Sequence, residues 1–180
     1  MLMKTHSTTI VAVKRDGRVS IAGDGQVTLG NGIIKNHAKK VRLISGGKIM
    51  AGFAGSAADG IALLERLEQK LEAHGGNLTR GAVELAKEWR MDKALRHLEA
   101  VIIVSDGRLM YLLSGNGDII EPDEDCIAIG SGSPYAHAAA RMLLKHTQLS
   151  ALEIAREAIQ TASDMCIYTN HEITALELAP

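Results

Sequence analysis

Four hydroxyl residues, Thr5, Ser7, Thr8 and Thr9, crowd the stretch KTHSTTIVAV just before an apolar run. Three further polar residues sit in tight or apolar settings: Asp24 between two glycines in AGDGQ, Lys40 after Lys39 and before VRLI, and Ser131 between Gly130 and Gly132. Taken singly they are a frayed polar terminus, a turn aspartate, a solvated edge charge and a helix cap. Taken together they match one mechanism. A threonine at a free amino terminus uses its own α-amine, which titrates near ~8, as general base for its hydroxyl. A neighbouring lysine ammonium lowers that value by charge repulsion, and an aspartate holds the lysine in place. Backbone N–H groups of a glycine segment then stabilise the oxyanion.

Which hydroxyl would react is open on the residues alone. Strand alternation puts Thr8 on one face with Ile10 and Ala12, and Thr9 on the other with Val11 and Val13, so only one of the two enters a site. Periodicity does not choose, and Ser7 or Thr9 stand as alternative mature termini.

Rival chemistries leave no trace in the sequence. GDGQVTLG, at 23–30, lacks the G-K-[ST] ending of a phosphate loop and no helix pattern follows it, so no nucleotide is expected on this chain. There is no H-E-x-x-H, no glycine-flanked nucleophile elbow, and the seven histidines are scattered. Cys126 and Cys166 lie forty residues apart without a zinc-type Cys/His spacing, and read as reduced, buried thiols of a cytosolic protein. Twenty basic against twenty-one acidic residues give a net charge of −1, which supplies no footprint for nucleic acid or an anionic membrane. MLMK is too short for a signal peptide and no apolar run reaches the ~18 residues of a membrane span, so the expected location is the cytoplasm.

The elements that must position these residues are those of one domain. A chain of 180 residues buries ~70% of its unfolded surface, enough for a full core. With one Trp, three Tyr and one Phe, that core must be aliphatic. From Thr8 to Ala54 short β segments are broken by glycine, with RDGR and SGGK as turn signals. Ser56 opens a helix with S-x-x-D, carried by Ile61, Leu64, Leu67 and Leu71 and stopped by Gly75 and Gly76. A second, antiparallel helix is predicted from Thr79 to His97. AVIIVSDGRLMYLLSG reads as a hairpin and CIAIGSG as a buried strand. SPYAHAAARMLLKH and SALEIAREAIQTAS read as helices, and MCIYTN and EITALEL as β or mixed structure. Runs of strands followed by pairs of helices mean α+β.

Long strings of this chain resemble a known family. TTIVAVKRDGRVSIAGDGQVTLGN, KKVR, AGFAGSAADG, AVELAKEWR, IAIGSGSPYAHAAARMLL and CIYTN look like the HslV (ClpQ) family of proteasome β-subunit-like threonine peptidases, and the likeness runs from Thr8 almost to the carboxyl end. It implies the four-layer αββα sandwich of N-terminal-nucleophile hydrolases, built into two stacked hexameric rings around a proteolytic chamber. It also implies a partner, the AAA+ ATPase HslU (ClpY), which would supply the ATP site and deliver unfolded protein substrates. Carried over by position, Thr8 is the nucleophile, Asp24 and Lys40 the charge pair that tunes it, Gly52 the oxyanion-hole glycine, and Ser131 the serine beside the terminal amine. The resemblance selects Thr8, and the sixteen residues to Asp24 agree. It further implies a sodium ion held by carbonyl oxygens of a G-D-x-C-x-Y-T loop. That loop here reads SDMCIYT, giving Ser163, Cys166 and Thr169, with Ser163 in place of the glycine.

The chief departure is the segment before Thr8. Residues 1–7 are expected to be a leader that is removed, and 8–180 the peptidase domain. While Ser7 is attached, the nitrogen of Thr8 is an amide and cannot act as a base. A small-amide acylase on the same fold, or a non-catalytic ring scaffold that keeps its leader, are the alternative functions.

Overall fold

The computed structural model describes residues 5–6, 8–92, 95, 98–115 and 117–180. Its strands are β1 (Thr5–His6), β2 (Thr9–Arg15), β3 (Arg18–Gly23), β4 (Val27–Leu29), β5 (Gly32–Lys35), β6 (Val41–Ile44), β7 (Ile49–Gly55), β8 (Ala100–Ser105), β9 (Met110–Ser114), β10 (Ile119–Ile120), β11 (Cys126–Gly130) and β12 (Thr174–Leu178). Four helices accompany them: α1 (Ala57–Ala73), α2 (Leu78–Met91), α3 (Ser133–His146) and α4 (Ala151–Met165).

RDGR closes the β2–β3 hairpin, with Asp16 at φ 52° and Gly17 at φ 73°. Two successive positive φ angles give the turn whose twist matches the flanking strands. The hairpin is the centre of an antiparallel sheet ordered β11-β2-β3-β12. A second antiparallel sheet runs β10-β9-β8-β7-β6, and a small third one β1-β4-β5.

β2 shows how the layers stack. Ile10 and Ala12 join Met50, Ala54 and Ile103 of the five-stranded sheet in one buried cluster, while Val11 and Val13 join Ala136, Ala155 and Ala158 of α3 and α4 in another. Burial on both faces explains why this antiparallel strand reads as an unbroken apolar run, which is the usual mark of a strand covered on both sides. On the far side of the five-stranded sheet, Leu63, Leu67, Leu85 and Trp89 of α1 and α2 cover Phe53, Ile102, Val104 and Leu113. The architecture is an αββα sandwich, an α+β fold.

The helix starts differ in an instructive way. At α4 the Ser150 and Glu153 side chains exchange bonds with each other's backbone N–H, so the capping box is complete. At α1 the Ser56 hydroxyl accepts from Asp59 N–H, but the Asp59 carboxylate accepts from Glu99 N–H at 2.9 Å, so half of the box ties the helix to the approach to β8. Ser150→Ala is expected to cost about 1 kcal/mol. A lower urea midpoint at unchanged slope would register it, and an unmoved midpoint would count against the cap.

Two boundaries depart from the sequence reading. The second helix begins at Leu78, capped by Asn77, and ends at Met91 rather than His97; 93–94 and 96–97 lie outside the described residues, as do 1–4 and Ser7. MCIYTN takes the mixed of the two structures expected for it: α4 runs through Met165, Cys166 caps it, and regular pairing resumes only at Thr174. Asn170 accounts for the interruption, because its side chain accepts from Gly25 N–H at 3.1 Å and donates to the Asn36 carbonyl at 3.0 Å. Those ties bend the chain around the β3–β4 connection instead of along a sheet.

Candidate active site

Thr8 and Lys40 line one cavity of about 440 Å³, together with Phe53, Gly55, Ser56 and Ile61 among others. Four elements meet there: the start of β2, the entry to β6, the end of β7 and the start of α1.

Asp24 organises the charged floor. Its side chain is fully buried and that of Lys40 is 3% exposed, with Nζ donating to Asp24 Oδ1 at 3.1 Å and also to the Gln26 carbonyl. The same Oδ1 accepts from Thr9 N–H at 2.8 Å, and Oδ2 accepts from the N–H groups of Gln26 at 2.9 Å and Asn170 at 3.4 Å. Burial lowers the Lys40 pKa from its ordinary value, and the charge and hydrogen bond of Asp24 oppose that fall. A buried ammonium so placed is a fixed positive charge whose proton is held less tightly than in water.

The two threonines diverge as alternation requires. Thr9 Oγ1 accepts from Gly132 N–H at 2.9 Å and lies 2.7 Å from Thr169 Oγ1, away from the cavity. Thr8 is on the cavity side, and its carbonyl accepts from Ser131 N–H at 2.9 Å. Ser131 therefore grips the backbone of Thr8 through its amide. Thr8 has a φ of 123°, a conformation that β-branched residues almost never adopt and one that costs of the order of 1–3 kcal/mol.

Gly52 is not brought to this cavity. It pairs with Val41 on one side and Ile103 on the other, and a Cβ added to it would stand 2.7 Å from Ile10 Cγ2. The missing side chain lets the two sheets pack closely at this point. Gly55, three residues on and at φ 105°, is the glycine that lines the cavity with Thr8. Strand parity held the signal, since positions an odd number apart face opposite ways and Phe53 and Gly55 share the cavity side. Gly52→Ala should overpack the intersheet core by ~1–3 kcal/mol. Its thermal midpoint should fall while hydrolysis per folded molecule is kept; lost turnover in a fully stable variant would return Gly52 to the chemistry. Asn170, which joins Asp24, Gly25 and Asn36, was also missed, having no neighbour in the sequence that marks it.

The loop after α4 suits a hard monovalent cation. Ser163 is in the last turn of α4 and Cys166 is its C-cap, so the carbonyls of this segment lie at the negative pole of the helix. Thr169 follows in a turn whose N–H reaches the Cys166 carbonyl at 3.0 Å, which leaves that oxygen a second lone pair. Serine replaces glycine without strain, because Ser163 is helical and its hydroxyl donates to the carbonyls of Ile159 and Asn170. Backbone carbonyls of this segment would offer a sodium ion oxygen donors only.

Similarity to known proteins agrees with this geometry. The family model for proteasome subunits matches residues 4–178. The ATP-dependent protease subunit HslV of Sulfurihydrogenibium sp. strain YO3AOP1 is 57% identical over 175 residues, covering 97% of this chain and 98% of that protein. That of Petrotoga mobilis is 58% identical over 172 residues, covering 96% and 97%. Among solved structures, eukaryotic HslV from Trypanosoma brucei superposes with a TM-score of 0.90 at 43% identity, covering 96% of this chain and 99% of that one. Thiobacillus denitrificans BPH shares the fold, with a TM-score of 0.71 at 20% identity over 95% and 97%. The chain belongs to the proteasome subunit family, among the HslV-type subunits of ATP-dependent proteases.

Proposed function

We propose that this peptidase subunit works through Thr8 as an amino-terminal nucleophile, after removal of residues 1–7. The observation that carries the reading is the shared cavity of Thr8 and Lys40, with Lys40 fixed by the same aspartate that holds the Thr9 amide. Thr8 Oγ1 attacks the peptide carbonyl, and its proton passes to the free α-amine of Thr8. The protonated amine then gives that proton to the departing amine, leaving an ester on Thr8 that water hydrolyses by the same route in reverse. Lys40 keeps the α-amine neutral enough to accept a proton. Ser131, by holding the Thr8 carbonyl, aims the residue, and the end of β7 at Gly55 offers the backbone beside which the oxyanion forms.

The leader has a physical reason to go. The φ angle of Thr8 is defined only while a carbonyl carbon precedes it, so cleavage of the Ser7–Thr8 bond removes the strained torsion altogether.

The remaining parts of the reading follow the family resemblance. The subunit assembles as two stacked hexameric rings in the cytoplasm and receives unfolded polypeptides from the AAA+ partner HslU, which binds the nucleotide. Among the described residues no helix is long and apolar enough to cross a membrane. Ser163, Cys166 and Thr169 would hold a sodium ion, which supplies positive charge that orders the loop bearing Thr169 and Asn170.

Intact-mass analysis of the protein purified from its native host tests the reading. The expected mass is that of a chain starting at Thr8, which should also take up one peptide epoxyketone, a reagent that needs an adjacent amine and hydroxyl. An intact leader with no labelling would favour the ring scaffold, and a terminus at Ser7 or Thr9 would move the nucleophile.

A further inference from the structure

Away from the cavity, the fold gathers three metal-ligating side chains that the sequence keeps apart. Glu124 stands in the loop before β11, Cys126 opens that strand, and His137 lies in the second turn of α3, which returns alongside it. One ligand atom from each lies within 4.8 Å of the other two. No zinc-type spacing announces this group, because the strand-to-helix return, and not local sequence, brings it together.

We propose that Glu124, Cys126 and His137 bind a borderline transition-metal ion, with zinc the best match. Thiolate, imidazole and carboxylate together select such an ion over calcium or magnesium, which require oxygen donors. His137 Nε2 is screened from solvent and has no hydrogen-bond partner, an arrangement that is costly until something satisfies the nitrogen. It faces Glu124 Oε2 at 3.8 Å, too far for a hydrogen bond. Nitrogen and oxygen ligands on one tetrahedral zinc, with bonds of ~2.0–2.2 Å, stand ~3.3–3.5 Å apart, so the two side chains close in by a few tenths of an ångström on binding. Glu124 Oε1 is held by Arg141 at 2.6 Å, which leaves Oε2 for the metal and fixes the carboxylate as an outer partner does. The charges of Arg141 and Lys145, which both line the adjoining cavity, oppose a cation. Asp123 and Asp125, which line that cavity of about 370 Å³ with Glu124 and Cys126, balance the two.

Binding is a substitution that balances. The Cys126 thiol loses its proton to solvent, sulfur and the two other donors each give an electron pair to the ion, and water from the open side of the cavity completes a fourth position. The ion would pin the beginning of β11 to α3. Since β11 leads directly to Ser131, the site braces the segment that grips Thr8 from its far end.

The test uses the full chain, freed of metal and titrated with cobalt(II) as a spectroscopic stand-in for zinc. A thiolate-to-cobalt absorption band should grow to one equivalent per chain and vanish when zinc is added. Cys126→Ser should abolish the band and Cys166→Ser should keep it. His137→Gln, at a half-buried side chain whose loss spares the core, should weaken cobalt binding at least ~10-fold. Absence of a thiolate band in the unaltered protein, or a band undiminished in Cys126→Ser or His137→Gln, would overturn the assignment.

Discussion

Thr8→Ala, prepared with its terminus at residue 8, is expected to lose peptide hydrolysis by at least ~10⁴-fold, the scale seen when a catalytic nucleophile is deleted. The fold should survive, because the contact that seats Thr8, its carbonyl on Ser131 N–H, belongs to the backbone and persists in alanine. Thr8→Ser keeps a hydroxyl next to an α-amine and should retain measurable turnover. The adjacent control sharpens the result. Thr9 Oγ1 satisfies the buried Gly132 N–H and meets Thr169 Oγ1, so Thr9→Ala strands buried polar groups at a cost of ~1–3 kcal/mol and should show chiefly as lost stability. Hydrolysis of a short fluorogenic peptide, beside a thermal melt, separates the two. Full turnover in Thr8→Ala with a dead but folded Thr9→Ala would reverse the assignment of faces.

Much of this was legible because local chemistry and global packing agree. RDGR forms its tight turn whatever surrounds it, and IVAV is apolar at every position because both faces of β2 are covered. Asp24, Lys40 and Ser131 each have an ordinary local reading and stood out only as a set, and the fold brings Asp24 and Lys40 into direct contact and Ser131 onto the Thr8 backbone. What escaped depends on partners far along the chain. Asn170 matters through Gly25 and Asn36, more than 130 residues away, and such pairing leaves no periodic trace. The cluster of Glu124, Cys126 and His137 depends on how a helix returns along a strand. β1 escaped for a related reason: Thr5 and His6 pair with Leu29 and Thr28, and a two-residue strand has no alternation to read. Gly52 and Gly55 share the five-residue string AGFAG, where resemblance marked the first and parity marks the second.

The charge pair supplies the second large effect, and its two members should fail differently. Lys40→Ala removes the ammonium but leaves Asp24 with three backbone donors, Thr9, Gln26 and Asn170, so the carboxylate stays solvated by the protein. Its main consequence is chemical: the α-amine of Thr8 loses the positive charge that tunes it. Hydrolysis should drop by ~10²–10⁴-fold, the usual worth of general-base catalysis. Asp24→Ala leaves a buried ammonium without its counter-charge and frees those three N–H groups. Removing one partner of a buried pair costs ~3–5 kcal/mol, so this variant should be compromised in folding before its catalysis is measured. Asp24→Asn isolates the electrostatics, since its shape and one acceptor oxygen remain. Burial already lowers the Lys40 pKa, and only Asp24 pulls it back; without that negative charge the Lys40 proton leaves at lower pH. The alkaline limb of the pH–rate profile should therefore move to lower pH in Asp24→Asn, with the acid limb, set by the α-amine, displaced in the same direction or less. An alkaline limb that stays in place, in a variant of native stability, would show that Asp24 only packs the site and does not tune its charge.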